Sequence, residues 1–358
     1  MKGRFVSFDA LRFLAIVLVV LQHAVYNYSG EVQSSGVVLG LYMSAKIGLV
    51  LFIMLSGCLL LDRDYTTTES IKKHYFVRMK NMFITFSLWV LIWEFFNVWF
   101  AHRSLSIGLL IKDLFWIQTT NSVPAPLNST QVGWNYLWYR PLILFLYLIL
   151  PYLSVSLREL PHLASRMLIT GLLVVGSILP TVNSLRWWDG KAGIELNQWL
   201  SIDKFGVWAV AVFVLGSVIK RDILKKYNLL FLWGVAIVIQ TLAVVWTNYL
   251  IDLHHRMFDF RFSSVNTLVL SVVVFETFRR IKIQSEFWTK CFMQLSKLAF
   301  GVYVLHRPIQ FLLTRYVFEG QKSLGVAMLQ FVIPLGVSVL LVYLLNKVDI
   351  VKKWLFMN

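Results

Sequence analysis

The chain has little of what extracellular, metal-dependent or nucleic-acid-binding proteins rely on. Only two cysteines, Cys58 and Cys291, occur in 358 residues, so no disulfide framework is available. No CxxC, no clustered Cys and His and no HExxH is present, which leaves a metal site without support. Acidic residues are scarce, 18 against 34 Lys and Arg, and the net charge is +16. That excess does not form a basic stripe with stacking aromatics. It sits in short segments between apolar runs, so no nucleic-acid partner is expected.

What is abundant is hydrocarbon. Hydrophobic residues make up 58% of the chain and mean hydropathy is +0.68, whereas soluble domains are about 45–50% apolar. The excess lies in runs long enough to cross a bilayer, which takes about 20 residues per helix. Ten runs are read: 10–28, 36–61, 82–101, 137–157, 167–182, 205–219, 229–250, 262–278, 296–313 and 324–346. The fold expected is all-α, a polytopic integral membrane bundle of about ten transmembrane helices. It forms a single membrane-embedded domain over residues 1–358, with no internal repeat. Lys2 and Arg4 ahead of the first run suggest a signal peptide. Asp9, Arg12, Gln22 and His23 within that run, and no small-x-small site after it, argue for a retained helix.

Orientation follows from the flanking cations. One side holds 20 Lys and Arg, including Arg63, Lys72, Lys73, Arg78 and Lys80, and the other holds 9. An even number of spans then puts both termini in the cytosol. Two outer segments are longer than a connection needs. Residues 101–136 carry Pro124, Pro126 and Asn128-Ser129-Thr130; residues 183–204 carry Trp187, Trp188 and Trp199. The tryptophans read either as interface anchors or as a sugar-stacking surface.

Several ionisable residues remain inside the runs: Arg12, His23, Lys46, Glu94, Arg140 and His306, with Arg307 beside the last. A charge at a helix centre costs about 2.5–3.5 kcal/mol on insertion scales, so such residues usually face a cavity or a partner. Arg12 and His23 are about three turns apart on one face, and Asp9, one turn before Arg12, shares it. At about 1.5 Å per residue, His23 lies about 20 Å from the cytosolic boundary, Lys46 about 22 Å, Glu94 about 18 Å, Arg140 about 25 Å and His306 about 15 Å. Residues from five helices therefore share one layer. Glu94 and Arg140 read equally well as a structural pair.

The motifs around these residues follow a recognisable order. The first run reads SFDALRFLAIVLVVLQHAV, the second KIGLVLFIMLSGCLL, the fourth NYLWYRPLILFLYLILPYL and the ninth LAFGVYVLHRPI. In that order they resemble acyltransferase family 3, whose members are membrane O-acyltransferases. With no appended hydrolase-like domain, the chain resembles the smaller members, of the enterobacterial common antigen O-acetyltransferase type. The resemblance implies ten helices in a bacterial inner membrane and a cytosolic acyl-CoA donor, with acetyl-CoA favoured. It also implies a hydroxyl acceptor, often a surface or exported glycan. No permanently bound cofactor is implied, and the oligomeric state stays open. The implied catalytic histidine is His23. Arg12 and the basic segment with Arg78 and Lys80 would hold the acyl-CoA, with Asp9 supporting Arg12. Lys46, Ser56, Glu94, Trp138, Arg140, Tyr303 and His306 complete the candidate substrate-binding set. One departure stands out: the family's Arg-x-x-Arg pair is here Arg78 and Asn81.

The residue types suit that chemistry. Acyl transfer to a hydroxyl needs a base for its proton, which histidine provides near neutrality, and donors for the developing oxyanion. Lys46, Arg140 or a backbone N–H are candidates for the second role. Ser56 and Gly57 read either as room for a thin pantetheine arm or as helix packing. The competing reading is a proton-coupled transporter or flippase of a glycan-related substrate, relayed by Asp9, His23 and Glu94. The orientation is testable directly. Alkaline phosphatase fused within residues 101–136 should be active and fused within residues 220–226 inactive. The reverse pattern would invert the topology.

Overall fold

The computed structural model describes residues 5–27, 36–101, 107–114, 139–186, 206–254, 262–321 and 323–356. Among them every regular element is helical. In hydrocarbon a backbone must satisfy its own N–H and C=O groups, and apolar runs without early helix breakers do so as helices. In chain order these are α1 (Val6–Asn27), α2 (Gly36–Ala45), α3 (Ile47–Leu60), α4 (Thr68–Lys73), a π-helical turn (His74–Met79), α5 (Lys80–Ala101) and α6 (Ile107–Leu114). There follow α7 (Tyr139–Glu159), α8 (His162–Leu173), a second π-helical turn (Val174–Ile178), α9 (Leu179–Arg186), α10 (Val207–Lys220), α11 (Leu229–His254), α12 (Val265–Arg280), α13 (Glu286–Tyr316), α14 (Leu324–Leu345) and α15 (Asp349–Leu355).

All ten expected runs fall on helices, but among the described residues seven helices are both long and apolar enough to span a membrane. Those are Val6–Tyr26, Gly36–Leu60, Thr68–Phe96, Tyr139–Glu159, Leu163–Val182, Leu229–Asp252 and Leu324–Leu345. Of the remainder, α10 is apolar but has 14 residues, α12 ends in Arg279 and Arg280, and α13 has 31 residues with a charged start. The helix expected from residue 296 thus begins at Glu286. The basic segment expected between spans is itself helical from Thr68, where the Thr67 hydroxyl caps the start by accepting the Ser70 N–H at 3.2 Å.

The core is arranged around α1, which packs against α2, α3, α12, α13 and α14. Two contacts fix how α1 lies along α13. Asp9, in the first turn of α1, meets Ser296, the eleventh residue of α13, and His23 meets His306 further along both. The two helices therefore run parallel. Close approach elsewhere relies on glycine. A Cβ at Gly57 would fall on the Phe213 carbonyl of α10, and one at Gly216 on the Met54 backbone of α3. The room over Gly57 is thus taken by a neighbouring helix, so Ser56-Gly57 is a packing element. The Ser56 hydroxyl is committed to the Phe52 carbonyl at 2.9 Å. The outer faces of α11 and α14 expose Leu230, Phe231, Leu242, Val332 and Leu340, the arrangement suited to lipid.

One charged group is fully buried at the end of α12. Glu276 accepts from Nε of Arg279 and from Nε of Arg280, each at 2.6 Å. Arg280 also donates to the Leu224 and Tyr227 carbonyls, which ties the α10–α11 connection to α12.

Gly57→Ala should destabilise by about 1–3 kcal/mol or more through overpacking. Gly40→Ala, where nothing lies within 4 Å, should be neutral or slightly stabilising. Thermal unfolding of the two variants in detergent measures the difference.

Candidate active site

The site begins on α1. One unbroken helix spans Val6–Asn27, so Asp9, Arg12 and His23 do line one face. Asp9 is buried and accepts from the Ser296 hydroxyl at 2.7 Å. Its carboxylate also pairs with Arg12, Nη1 to Oδ1, at 3.7 Å. Arg12 keeps a third of its side chain exposed.

About 16 Å further along α1, at 1.5 Å per residue, the His23 ring packs on the His306 ring of α13. Their centroids are 5.4 Å apart and the planes are tilted by 32°. His306 is fully buried, and its Nδ1 lies 3.0 Å from the Val302 carbonyl. A carbonyl only accepts, so Nδ1 carries the proton and Nε2 the lone pair.

From this pair the polar ground continues inward. Tyr303 lies 6.3 Å from His306 and meets the ring of Tyr139 at 6.1 Å, edge to face. Arg140, next to Tyr139 and 1% exposed, is close enough to act electrostatically on Tyr303. Arg307 acts on both histidines and donates to Gln310 Oε1 at 3.2 Å. The Gln310 amide in turn donates to the carbonyls of Val20 on α1 and Gln330 on α14, which locks three helices beside the pair. The structure therefore brings His23, His306, Tyr303 and Arg140 into one continuous region.

Two further candidates are also buried. Lys46 is buried where α2 gives way to α3, with its ammonium 4.5 Å from the centroid of the Tyr42 ring. That ring lies 5.8 Å from the ring of Tyr26, which is one turn beyond His23 on α1. Glu94 is buried in α5. Trp138 lies outside the described residues, as do most of the two long outer segments.

At the other end of the Arg12 face, the helical segment from Thr68 carries the basic residues. Lys72, Lys73 and Lys80 are exposed, whereas Arg78 is half-buried beside Tyr65. Arg12, Arg63 and Arg78, from three segments, all act electrostatically on Tyr147 of α7. Burial pushes the Tyr65 phenol up, against the pull of Arg63 and Arg78, so it stays a hydroxyl donor. The adjoining turn is ordered by Asp64, held below the usual carboxylate range mainly by the Thr66 backbone N–H and hydroxyl.

Sequence reasoning missed His74, Tyr65 and the Arg307–Gln310 link. His74 hides in a basic stretch, Lys72-Lys73-His74, that reads as solvated. Its burial depends on a carbonyl of α7, to which it bonds at 2.7 Å.

A family model described as an acyltransferase domain matches residues 5–347. No match was found among curated proteins or among solved structures.

Ser296→Ala should leave the buried Asp9 carboxylate without its hydroxyl donor and destabilise by about 1–3 kcal/mol. Thermal unfolding checks this, and Ser296→Thr, which keeps the hydroxyl, should recover most of the loss.

Proposed function

Because the chain belongs to acyltransferase family 3, we propose that it is a membrane O-acyltransferase that moves an acetyl group from cytosolic acetyl-CoA to a hydroxyl of a surface or exported glycan. In this reading the chain crosses the plasma membrane ten times with both termini in the cytosol. The observation that carries it is the packing of His23 against His306 at the end of a helical face that starts with Arg12.

The chemistry then runs as follows. His23 takes the proton from the acceptor hydroxyl as that oxygen attacks the thioester carbonyl. A C–O bond forms, and the negative charge that gathers on the carbonyl oxygen is met by Arg140 and the Tyr303 hydroxyl. The intermediate collapses with loss of the C–S bond, and the departing sulfur receives the proton held by His23. The histidine returns to its neutral form and no other reactant is needed. His306, with its Nδ1 proton engaged by Val302, holds His23 in place through the ring contact.

At the cytosolic end, Arg12, Arg63 and Arg78 provide charge-assisted contacts for the donor's phosphates. The roughly 16 Å between Arg12 and His23 suits a donor whose phosphates and thioester lie at opposite ends of a thin arm. The nearby acidic groups have other partners: Asp9 is engaged by Ser296 and Arg12, Asp62 by Lys220 and Asp64 by Arg158.

His23→Ala should lower acetyl transfer by about 10²–10⁴-fold while leaving acetyl-CoA binding near the wild-type level. The readout is incorporation of label from radiolabelled acetyl-CoA into envelope glycans by membranes carrying each variant. Full activity in His23→Ala would remove the histidine from the chemistry.

A further inference from the structure

The histidine pair is braced by a side chain that the reaction above leaves unused. Gln310, one turn beyond His306 on α13, is fully buried. Its Nε2 donates to the Val20 carbonyl at 3.3 Å and to the Gln330 carbonyl at 3.2 Å. Its Oε1 accepts from Nη1 of Arg307 at 3.2 Å. Carbonyls only accept and a guanidinium only donates, so the amide fits in one orientation and both of its hydrogens are used. Val20 stands one turn before His23 on α1. Side chains on a helix lean toward its N-terminus, so the Gln310 amide reaches back from beyond His306 toward the level of the pair.

The contact to α14 has a local cause. Pro334 lies inside that helix, and a proline has no N–H for the carbonyl four residues earlier, which is that of Gln330. A carbonyl freed in this way inside a membrane needs a donor from elsewhere. The Gln310 amide is that donor. The same device recurs in α7, where Pro151 has no N–H for the Tyr147 carbonyl and His74 bonds to it at 2.7 Å. The Val20 contact has no such cause. No proline interrupts α1, so the helix supplies the Val20 carbonyl with its own N–H, from Ala24. The bond from Gln310 is therefore additional to what the backbone requires, and it falls on the helix that carries His23.

We propose that Gln310 is a positioning residue for the acyl transfer, holding α1 to α13 at the histidine pair and Arg307 beside it, an inference that rests on the acyl-transfer reading above. The bond between Ser296 and Asp9 fixes the two helices at the cytosolic end, and the bond between Gln310 and Val20 fixes them at the histidine end. His23 must meet a hydroxyl as that oxygen closes on a thioester carbonyl, and a displacement of about 1 Å at such a centre can cost about 100-fold in rate. Gln310 thus has two effects that can be separated. Its bond to the Gln330 carbonyl stabilises α14, whereas its bonds to Val20 and Arg307 set the geometry at the pair.

The test is a double-mutant cycle in the full-length protein. It is read as thermal unfolding in detergent and as transfer of label from radiolabelled acetyl-CoA to envelope glycans by membranes carrying each variant. Gln310→Leu should lower the unfolding temperature by several degrees and the maximal rate by about 10- to 100-fold, with the acetyl-CoA concentration for half-maximal rate unchanged. Pro334→Ala gives α14 its own N–H for the Gln330 carbonyl. Relative to Pro334→Ala alone, the variant carrying both substitutions should therefore lose little stability and still lose about 10- to 100-fold in rate. Thr314→Val removes the hydroxyl that accepts from Gln330 Nε2 at 3.0 Å and leaves the Gln310 amide in place, so it should cost stability and keep transfer near the wild-type level. A merely structural glutamine predicts that the rate recovers together with the stability in the double variant. That result, near-wild-type transfer by a folded Gln310→Leu, or an equal loss of rate in Thr314→Val, overturns the proposal and leaves the acyl-transfer reading standing. Absence of transfer by wild type overturns the reading itself and the proposal with it. If Gln310→Leu does not fold alone, the double variant decides, because α14 then closes its own carbonyl.

Discussion

A helix that crosses hydrocarbon with a carboxylate, a guanidinium and an imidazole along one face cannot show that face to lipid. Each such group costs several kcal/mol unless it finds a partner or water. The position of α1 follows from this. It lies against α2, α3, α12, α13 and α14, and its polar face is met by α13, with Ser296 opposite Asp9 and His306 opposite His23. Parallel running of α1 and α13 is what lets both contacts form at once. The remaining helices pack around that pair, some by glycine-mediated approach, as between α3 and α10, and others with apolar outer faces, as in α11 and α14.

The same constraint separates two kinds of buried charge. Glu276 is closed by Arg279 and Arg280, and Arg280 ties the α10–α11 connection to α12. The α1 face is different. Arg12 is partly open, and the histidine pair sits at the far end of the same face among Tyr303, Arg140 and Arg307. A closed cluster gives rigidity, whereas the α1 face has a part-exposed Arg12 at one end and the histidine pair at the other. The acyl-transfer reading assigns one end of that face to the donor's phosphates and the other to the reacting carbonyl.

Much of this was legible in the residues. Apolar run length located the helices, because hydrocarbon leaves a backbone few alternatives. The eleven-residue spacing of Arg12 and His23 gave a shared face, since one straight helix has only one way to place them. Comparable depths put His23 and His306 within reach. What could not be read depends on contacts between distant segments. His74 turns inward because a carbonyl 73 residues away receives it. Lys46 lies over the Tyr42 ring, and depth alone does not distinguish that from a place beside His23. Ser56-Gly57 had two readings until Phe213 was seen to fill the space over Gly57. The start of α13 at Glu286 was hidden because its first turns are exposed and charged, so hydropathy does not mark them.

The central claim is that the reactive end of the donor reaches His23 and His306 along the Arg12 face. A photoreactive acyl-CoA with a diazirine on its acyl group, bound to the full-length protein in nanodiscs and mapped by peptide mass spectrometry, tests it without knowledge of the acceptor. The account predicts cross-links on α1 near His23 and on α13 near His306, suppressed by excess acetyl-CoA. Labelling confined to residues 62–80, or spread over lipid-facing helices and insensitive to acetyl-CoA, would contradict it.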